Sequence, residues 1–194
     1  MKIAVVSAYT ENIKDLYKIT SKTLVEYCKL HNYHLLISKI VETERPAPWY
    51  KLTEILKCLV DGFDIVLWVD CDAIIVNKKI KIEDLIEEDK DFYYASNWLG
   101  MNSGVMIFRN TDDVKNFLIE SWSQEQFVLH PWWEQAAIRH LLERKAFPLY
   151  KIKELPASIL NSEEYYGGCL VYHMPETCLN ERIKRFSEIL GSQQ

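Results

Sequence analysis

Apolar runs and helical periodicities alternate along the first part of the chain. Lys2–Ala8 and Tyr33–Ser38 are short segments rich in Val, Ile and Leu, which is typical of strands that are covered on both faces. Between them, apolar residues recur at helical spacing from Ile13 to Cys28. This opening therefore predicts a strand–helix–strand unit with a right-handed crossover.

The strongest strand signal is Asp64–Val69, and Trp49–Val60 before it predicts a helix that ends at Gly62. Beyond residue 70 the pattern becomes irregular. Apolar runs predict strands at Ala73–Val76, Phe92–Ser96, Ser103–Phe108, Leu149–Ile152 and Leu170–His173. Periodic segments predict helices at Ile82–Glu88, Asp112–Glu125, Trp133–Arg144 and Pro175–Leu190, and polar segments predict loops at Glu42–Pro48, Gly100–Asn102 and Asn161–Gly168. We therefore expect one α/β domain, residues 1–194, with a mixed, mainly parallel central sheet flanked by helices.

Composition narrows the possible classes of function. The chain has 194 residues, 48% of them hydrophobic, and a net charge of −5, which excludes disorder as its main state. Its five cysteines form no Cys-x-x-Cys pair and predict reduced thiols. No basic stripe favours a nucleic acid as partner, and no apolar run approaches the roughly 18–20 residues that span a bilayer. We therefore expect a soluble, cytoplasmic protein.

Two aspartates, Asp70 and Asp72, follow the strongest strand. In an extended backbone both carboxylates point to one side and Cys71 points to the other. Like charges this close repel unless a cation lies between them, and the hard ions Mg²⁺ and Mn²⁺ prefer oxygen ligands. A simple polar turn is the alternative interpretation. Because ligands of open α/β sheets bind beyond the carboxyl ends of strands, the position favours a metal site.

Several chemistries would use such a pair. A haloacid-dehalogenase-like phosphatase has the same Asp-x-Asp pattern, but near the N-terminus and with Thr or Val where this chain has Ile74. A sugar-nucleotide pyrophosphorylase would need a glycine-rich loop after the first strand, and Ser7–Thr10 contains no glycine. A glycosyltransferase would use the metal to bridge the diphosphate of a sugar nucleotide. A non-catalytic sugar-binding module is a further alternative.

A resemblance supports the glycosyltransferase hypothesis. Segments in five places resemble, in order, motifs of the GT-A glycosyltransferases, and most closely those of the galactosyl/mannosyl/xylosyltransferases of family 34. They are His31–Tyr33, Pro48–Lys51, Trp68–Asn77 with its Asp-x-Asp, Asn102–Asn110 and Trp133–Ala137. The resemblance implies a single GT-A domain and a nucleotide-sugar donor, with a UDP-sugar expected first. It also implies a glycan or glycoprotein acceptor and transfer with retention of anomeric configuration.

The resemblance also implies a role for each motif. The metal ligands for Mn²⁺ or Mg²⁺ would be Asp70, Asp72 and His173. The donor would be bound by Ala8, Tyr9, Thr10, Tyr33, Lys51, Asp70, Cys71, Asn102, Ser103 and Gly104. The catalytic set would be Asp72 with Gln135, near the anomeric carbon, and Glu134, on sugar hydroxyls or the acceptor. No nucleophile is evident, so front-face attack by the acceptor hydroxyl is the expected route.

Each of these assignments has a simpler alternative. Glu134 suits a helix start, where the helix dipole favours negative charge. Lys51 suits a solvated first helical turn, and His173 suits a hydrogen-bonding position at a strand end. Tyr33 suits a core position, because an aromatic residue beside a strand commonly packs there. Asn102–Gly104 suits an ordinary hairpin turn.

Two further expectations concern residues outside the matched motifs. The family has a late lysine with no counterpart here, which leaves Arg182 and Lys184 as the cations that could replace it. Several tryptophans are candidates for a sugar-stacking platform, with the core as the alternative: Trp98, Trp122, Trp132 and Trp133.

Overall fold

A computed structural model describes residues 1–41 and 44–192; Glu42 and Thr43, in the predicted loop Glu42–Pro48, lie outside these ranges. The strands are β1 Ile3–Thr10, β2 His34–Ile40, β3 Ile65–Val69, β4 Ala73–Ile75, β5 Phe92–Asn97, β6 Gly100–Arg109, β7 Ile152–Glu154, β8 Asn161–Ser162 and β9 Val171–His173. The α-helices are α1 Lys14–His31, α2 Tyr50–Val60, α3 Asp112–Trp122, α4 Trp133–Glu143 and α5 Leu179–Gly191. None of the helices in the described ranges is long and apolar enough to cross a membrane.

The central sheet has the strand order β2-β1-β3-β6-β5-β7. The β1 strand pairs in parallel with β2 and β3, β6 runs antiparallel to β3 and β5, and β5 is parallel to β7. The expected mixed, mainly parallel sheet is therefore confirmed. This pairing also makes β1, β3 and β5 end at the same edge, which we call the carboxyl edge.

Both faces of the sheet are covered, which explains why β3 is an uninterrupted apolar run. Val66 and Trp68 on one face pack in the core with α2, α3 and α4. Ile65, Leu67 and Val69 on the other face pack with α1 and with β4 and β9. Because successive strand residues alternate between faces, all five residues of β3 are buried.

A small second sheet of order β4-β9-β8 was not predicted from the sequence, which assigned Asn161–Gly168 to a loop. In it, β4 runs antiparallel to β9, and the register pairs Ala73 with His173. Asp72 immediately precedes Ala73 in the chain. The second sheet therefore brings His173 next to the aspartate pair.

The β5–β6 hairpin differs from the prediction, which placed a turn at Gly100–Asn102. The two-residue tip is Trp98–Leu99, and Gly100 opens β6 with a φ of 102°. The pairing shifts between Tyr94 and Ala95, since Tyr94 faces Met106 whereas Ala95 faces Asn102. The intervening residues of β6 bulge away from β5, as is typical of strands that re-aim side chains near a site.

Three other boundaries were wrong. The predicted helix Ile82–Glu88 is only a 3-10 turn at Ile82–Asp84, because Ile82 is its one buried residue and no apolar face continues. The predicted strand Leu149–Ile152 is a 3-10 turn followed by β7. The last helix begins at Leu179 rather than at Pro175, because Glu176 has a φ of 56° that interrupts a helix.

Candidate functional site

A cavity of about 640 Å³ opens at the carboxyl edge of the central sheet. It is lined by the ends of β1 and β3, the bulged part of β6 and the start of α4. All but one of the site residues expected from the sequence line it: Ala8, Tyr9, Thr10, Lys51, Asp70, Cys71, Asp72, Asn102, Ser103, Gly104, Glu134, Gln135 and His173. The exception is Tyr33.

Asp70 follows directly after β3 and is fixed by its neighbours. Its backbone N–H donates to the Gly104 carbonyl at 2.8 Å, which extends the pairing of β3 with β6 by one residue. The Trp68 indole donates from Nε1 to Asp70 Oδ1 at 2.6 Å. Burial raises the pKa of Asp70, with the Asp72 carboxylate acting in the same direction and the Lys51 amine opposing it.

Lys51 is a buried cation at the centre of a polar cluster. Only 3% of its surface is exposed, and its Nζ lies 2.9 Å from Asp70 Oδ1 and 2.9 Å from Glu134 Oε1. The amine also donates to the Ser103 carbonyl at 3.1 Å. Burial alone would lower the pKa of Lys51, but Asp70 and Glu134 outweigh it and raise that pKa, so the amine stays charged. The solvated-turn alternative for Lys51 is therefore wrong. We call Lys51, Asp70, Ser103 and Glu134 the floor of the cavity.

Asp72 is held on its other side by an imidazole and a guanidinium. His173 Nε2 lies 3.3 Å from Asp72 Oδ1, and Arg182 Nη2 lies 3.1 Å from Oδ2. Burial alone would raise the pKa of Asp72, but His173 and Arg182 outweigh it and lower that pKa. Of the two cations considered from the sequence, Arg182 lines the cavity, whereas Lys184 is exposed and does not line it.

The side chains of Asp70, Asp72 and His173 fit a divalent cation. Each offers one ligand atom, and these atoms all lie within 4.8 Å of one another. His173 is buried, and its Nδ1 has no hydrogen-bond partner. A Cβ at Gly104 would lie 2.2 Å from His173 Cε1, so only glycine leaves room for the imidazole here. Two carboxylates and an imidazole suit a divalent ion of borderline character.

Ser103 ties the bulge of β6 to the start of α4. Its Oγ donates to Glu134 Oε1 at 2.9 Å, and its N–H donates to Gln135 Oε1 at 2.9 Å. Glu134 Oε2 is buried and has no hydrogen-bond partner. An acceptor oxygen of this kind is costly unless a donor reaches it, which makes it available to a ligand hydroxyl.

Asn102 shapes the same bulge from its other end. Its Oδ1 accepts from the Gly104 N–H at 2.8 Å and from Asn161 Nδ2 at 3.0 Å. The hairpin-turn alternative for these residues is wrong, because they lie within β6 and not at the hairpin tip. The bulge is therefore held by side chains of β6, β8 and α4.

The end of β1 contributes an aromatic wall. The rings of Tyr9 and Tyr17 are stacked, with centroids 4.4 Å apart and planes 9° apart, and the Thr10 hydroxyl donates to Asn12.

Cys71 accepts a hydrogen bond at its carbonyl from the Thr20 hydroxyl at 2.9 Å. Burial raises the pKa of the Cys71 thiol, so it stays protonated at neutral pH.

Tyr33 lies away from the cavity, so the structure does not support its place among the donor-binding residues. It immediately precedes β2, and the amino end of that strand lies at the edge opposite the carboxyl edge. Its hydroxyl donates to Glu83 and accepts from the Ile82 N–H at 3.2 Å, and its ring meets Tyr27 at 5.5 Å.

Two residues that hold the site were missed. Trp68 lies two positions before Asp70 in an extended segment, so period-2 alternation could have placed both on one face. Asn161 has no such signal, because its contact with Asn102 depends on the position of the second sheet. Among the four tryptophans, Trp98, Trp132 and Trp133 line the cavity, whereas Trp122 packs against Trp49.

Solved structures show that the fold is that of GT-A glycosyltransferases. A glycosyltransferase involved in the glycosylation of the major capsid of PBCV-1 superposes with a TM-score of 0.80 at 16% identity, covering 97% of this chain and 100% of that one. The galactosyltransferase LgtC, in complex with donor and acceptor sugar analogs, superposes with a TM-score of 0.59 at 12% identity, covering 97% and 95%.

Sequence relatives carry glycosyltransferase names. Probable glycosyltransferase 6 of Oryza sativa subsp. indica is 29% identical over 115 residues, which are 53% of this chain and 24% of that protein. Xyloglucan 6-xylosyltransferase 1 of Arabidopsis thaliana is 25% identical over 173 residues, which are 80% of this chain and 37% of that protein. The chain thus spans well under half the length of these relatives, and the resemblance drawn from its motifs is confirmed.

The model of one protein family, described as "Protein of unknown function, DUF273", matches residues 24–181. That range contains most of the cavity residues, from Lys51 to His173, and leaves out the end of β1 and Arg182. Since the match extends over more than half of the sequence, the chain belongs to the DUF273 family and has the GT-A glycosyltransferase fold.

Proposed function

We propose that this chain is a metal-dependent glycosyltransferase that moves a sugar from a UDP-sugar to a hydroxyl of a glycan. The observation that carries the proposal is the cluster of Asp70, Asp72 and His173 at the carboxyl edge. It lies in one cavity with the Lys51–Glu134 ion pair. The sequence relatives and the shared fold support the same class of reaction.

The cluster would hold Mn²⁺ in preference to Mg²⁺. Carboxylates suit either ion, but an imidazole ligand favours the softer transition metal. When bound, the metal would supply Lewis-acid stabilisation of the charge on a leaving nucleoside diphosphate. The positive charge of a metal ion matters here. Among the described residues, the two cationic side chains that line the cavity are Lys51 and Arg182, and both are already paired with carboxylates.

The residues around the cluster would divide the rest of the donor between them. Ala8, Tyr9 and Thr10 at the end of β1 would hold the base and ribose, with Tyr9 kept in place by its stack on Tyr17. Glu134 would accept a hydrogen bond from a sugar hydroxyl at its unpartnered Oε2. Gln135 is oriented through its Oε1 by the Ser103 N–H, which leaves its amide NH₂ to donate toward the sugar.

The contacts of Glu134 support retention of the anomeric configuration. Its Oε1 accepts from Ser103 and pairs with the Lys51 amine, so this oxygen is already engaged on the floor and is not free to attack the anomeric carbon. Front-face attack by the acceptor hydroxyl is therefore the proposed route. An anomer-resolved NMR assay of the product should show the donor's configuration. Inversion of the configuration would contradict the route and make Glu134 the base.

Nucleotide release from a panel of UDP- and GDP-sugars, with and without Mn²⁺, tests the proposed function. We expect UDP release that requires Mn²⁺, is lost in Asp72→Asn and persists in the matched surface variant Asp15→Asn, whose carboxylate is 79% exposed. The rival phosphatase would instead release phosphate from small esters without regard to the nucleotide. That outcome, or nucleotide release that survives Asp72→Asn, would contradict the proposal.

A further inference from the structure

One side of the cavity is aromatic and open to solvent. Trp98 at the β5–β6 hairpin tip exposes 81% of its surface, and Trp133 at the start of α4 exposes 40%. Both line the cavity together with Trp132, and we call these three residues the rim. The same chain buries Trp49 and Trp68 almost completely. Large apolar side chains left in water beside a polar site commonly mark a binding surface.

Arg139 links the two parts of the rim. Arg139 Nη1 donates to the Leu99 carbonyl at 2.8 Å, at the hairpin tip. The guanidinium also lies over the Trp132 ring, 5.0 Å from its centroid. The Cζ atom of Arg139 would lie 3.5 Å from a Cβ added at Gly100. Arg139 therefore joins the hairpin tip to the start of α4 and positions the two exposed tryptophans.

The backbone at Trp133 is strained. Its φ is 40°, in the left-handed region that L residues with bulky side chains avoid. Such conformations are energetically costly and concentrate at binding and catalytic sites. The strain is a second observation, independent of exposure, that sets the rim apart from ordinary surface.

Sheet order separates the rim from the nucleoside end of the cavity. In the order β2-β1-β3-β6-β5-β7, strand β3, which Asp70 follows, has β1 on one side and the β5–β6 hairpin on the other. Tyr9 and Thr10 lie at the end of β1, and Trp98 lies at the tip of the hairpin. A ligand on the rim would therefore approach the metal cluster from the side opposite the base and ribose.

The polar groups beside the rim favour a neutral ligand. Asn97 Nδ2 donates to Glu163 Oε1 at 2.7 Å, and both residues line the cavity. Glu176 adds another carboxylate to the lining, while Arg139 is engaged with the hairpin tip. Flat indole faces pack against the C–H faces of sugar rings, and amide and carboxylate groups hydrogen-bond to hydroxyls. These carboxylates would repel an anionic ligand.

We propose that Trp98 and Trp133 form the acceptor subsite, and that it takes a neutral pyranose of a glycan and not an anionic sugar or a phosphorylated carrier. This inference rests on the proposed function, because it places the hydroxyl of that sugar beside the metal cluster. Trp98 supplies the outer stacking face, and Asn97 and Glu163 take the ring hydroxyls.

Binding to a printed array of neutral and sialylated oligosaccharides tests the subsite, with the protein in Mn²⁺ and UDP. We expect the wild type to bind neutral glycans, and Trp98→Ala to lose about tenfold or more of that affinity, as for a truncated aromatic hot spot. Trp98→Phe should retain most of it, because a ring remains. Leu129→Ala, at a residue that is 89% exposed but does not line the cavity, is the matched control and should bind as the wild type does.

A kinetic measurement separates the subsite from the donor site. The transfer assays use as acceptor a neutral glycan that the wild type binds on the array. Trp98→Ala should raise the KM for this acceptor about tenfold, and its Mn²⁺-dependent affinity for UDP should not change. Three results would overturn the subsite: a wild type that binds none of the neutral glycans, a preference for sialylated ones, or equal binding by wild type and Trp98→Ala. The protein could instead bind the array through Trp98 but neither bind UDP nor release it from UDP-sugars. That result would support the sugar subsite and contradict the proposed transferase activity.

Discussion

On the floor of the cavity, Lys51 is 3% exposed and meets two carboxylates at 2.9 Å, whereas at the rim Trp98 is 81% exposed. The floor is largely buried, and Lys51 is paired with both of its carboxylates, so the position of these side chains is set before any ligand arrives. The rim keeps apolar surface in water and is held by Arg139, which contacts the backbone of the hairpin tip and the Trp132 ring. This contrast teaches that the two regions contribute differently: the floor to the stability of the fold and the position of the cluster, the rim to recognition.

The largest effect is expected on the floor, from Lys51→Met. Removing the amine leaves the Asp70 and Glu134 carboxylates without their shared cation. Breaking a buried ion pair from one side typically costs about 3–5 kcal/mol. The free energy of unfolding from urea denaturation should fall by about this amount. An unchanged stability would mean that the floor is solvated in solution, and the contrast with the rim would not hold.

The next effect is expected where the floor meets the metal cluster, from Gly104→Ala. The added Cβ would overlap the His173 ring at 2.2 Å from Cε1, so the imidazole must move. We expect a loss of stability of about 1–3 kcal/mol and weaker binding of Mn²⁺ in calorimetric titration. Gly167→Ala is the matched control, because nothing lies within 4 Å of the new Cβ there. Equal Mn²⁺ affinity in the two variants would show that His173 is not a metal ligand.

A smaller effect is expected from Ser103→Ala, which removes one hydroxyl from the floor and keeps its ion pairs. The lost bond to Glu134 Oε1 is 2.9 Å long and buried. A single buried hydrogen bond contributes about 1 kcal/mol net, so the denaturation midpoint should move modestly. Ser123→Ala, which removes an exposed hydroxyl at the end of α3, should change it less. The reverse order would show that Ser103 does not hold Glu134.

The smallest effect on stability is expected at the rim, from Trp98→Ala. Surface substitutions usually change the free energy of unfolding by no more than about 0.5 kcal/mol. Trp49→Ala is the buried counterpart and should cost about 3–5 kcal/mol, because it leaves a cavity in the core. If the two variants lost similar stability, the exposed position of Trp98 would be wrong.

The sequence predicted the first half of the fold well, because its signals are local. A strand covered on both faces is an apolar run wherever it lies, as β1 and β3 are. Helix α2 ends at Val60, and Gly62 just beyond it has a φ of 82° and an N–H that donates to the Leu59 carbonyl at 3.2 Å, as is typical of a glycine past a helix end. The sequence predicted strands at β4 and β9 but missed the two-residue β8, and the second sheet itself was missed because it is defined by pairing across the chain.

The site was predicted where residues follow strands of the carboxyl edge, as Asp70 and Thr10 do. Tyr33 was misplaced because it precedes its strand and so lies at the opposite edge. The burial of Lys51 had no signal in the sequence, since its partners come from β3, β6 and α4. The contact of Arg182 with Asp72 depends in the same way on how α5 packs.

The most direct test of the metal cluster is electron paramagnetic resonance of Mn²⁺ titrated with protein and UDP. Wild type and Asp15→Asn should both remove the signal of free Mn²⁺, and more strongly when UDP is present. Asp72→Asn should lower that signal no further than UDP does without protein, while its circular dichroism stays native. Binding of Mn²⁺ by Asp72→Asn as tight as that of the wild type would contradict the central claim.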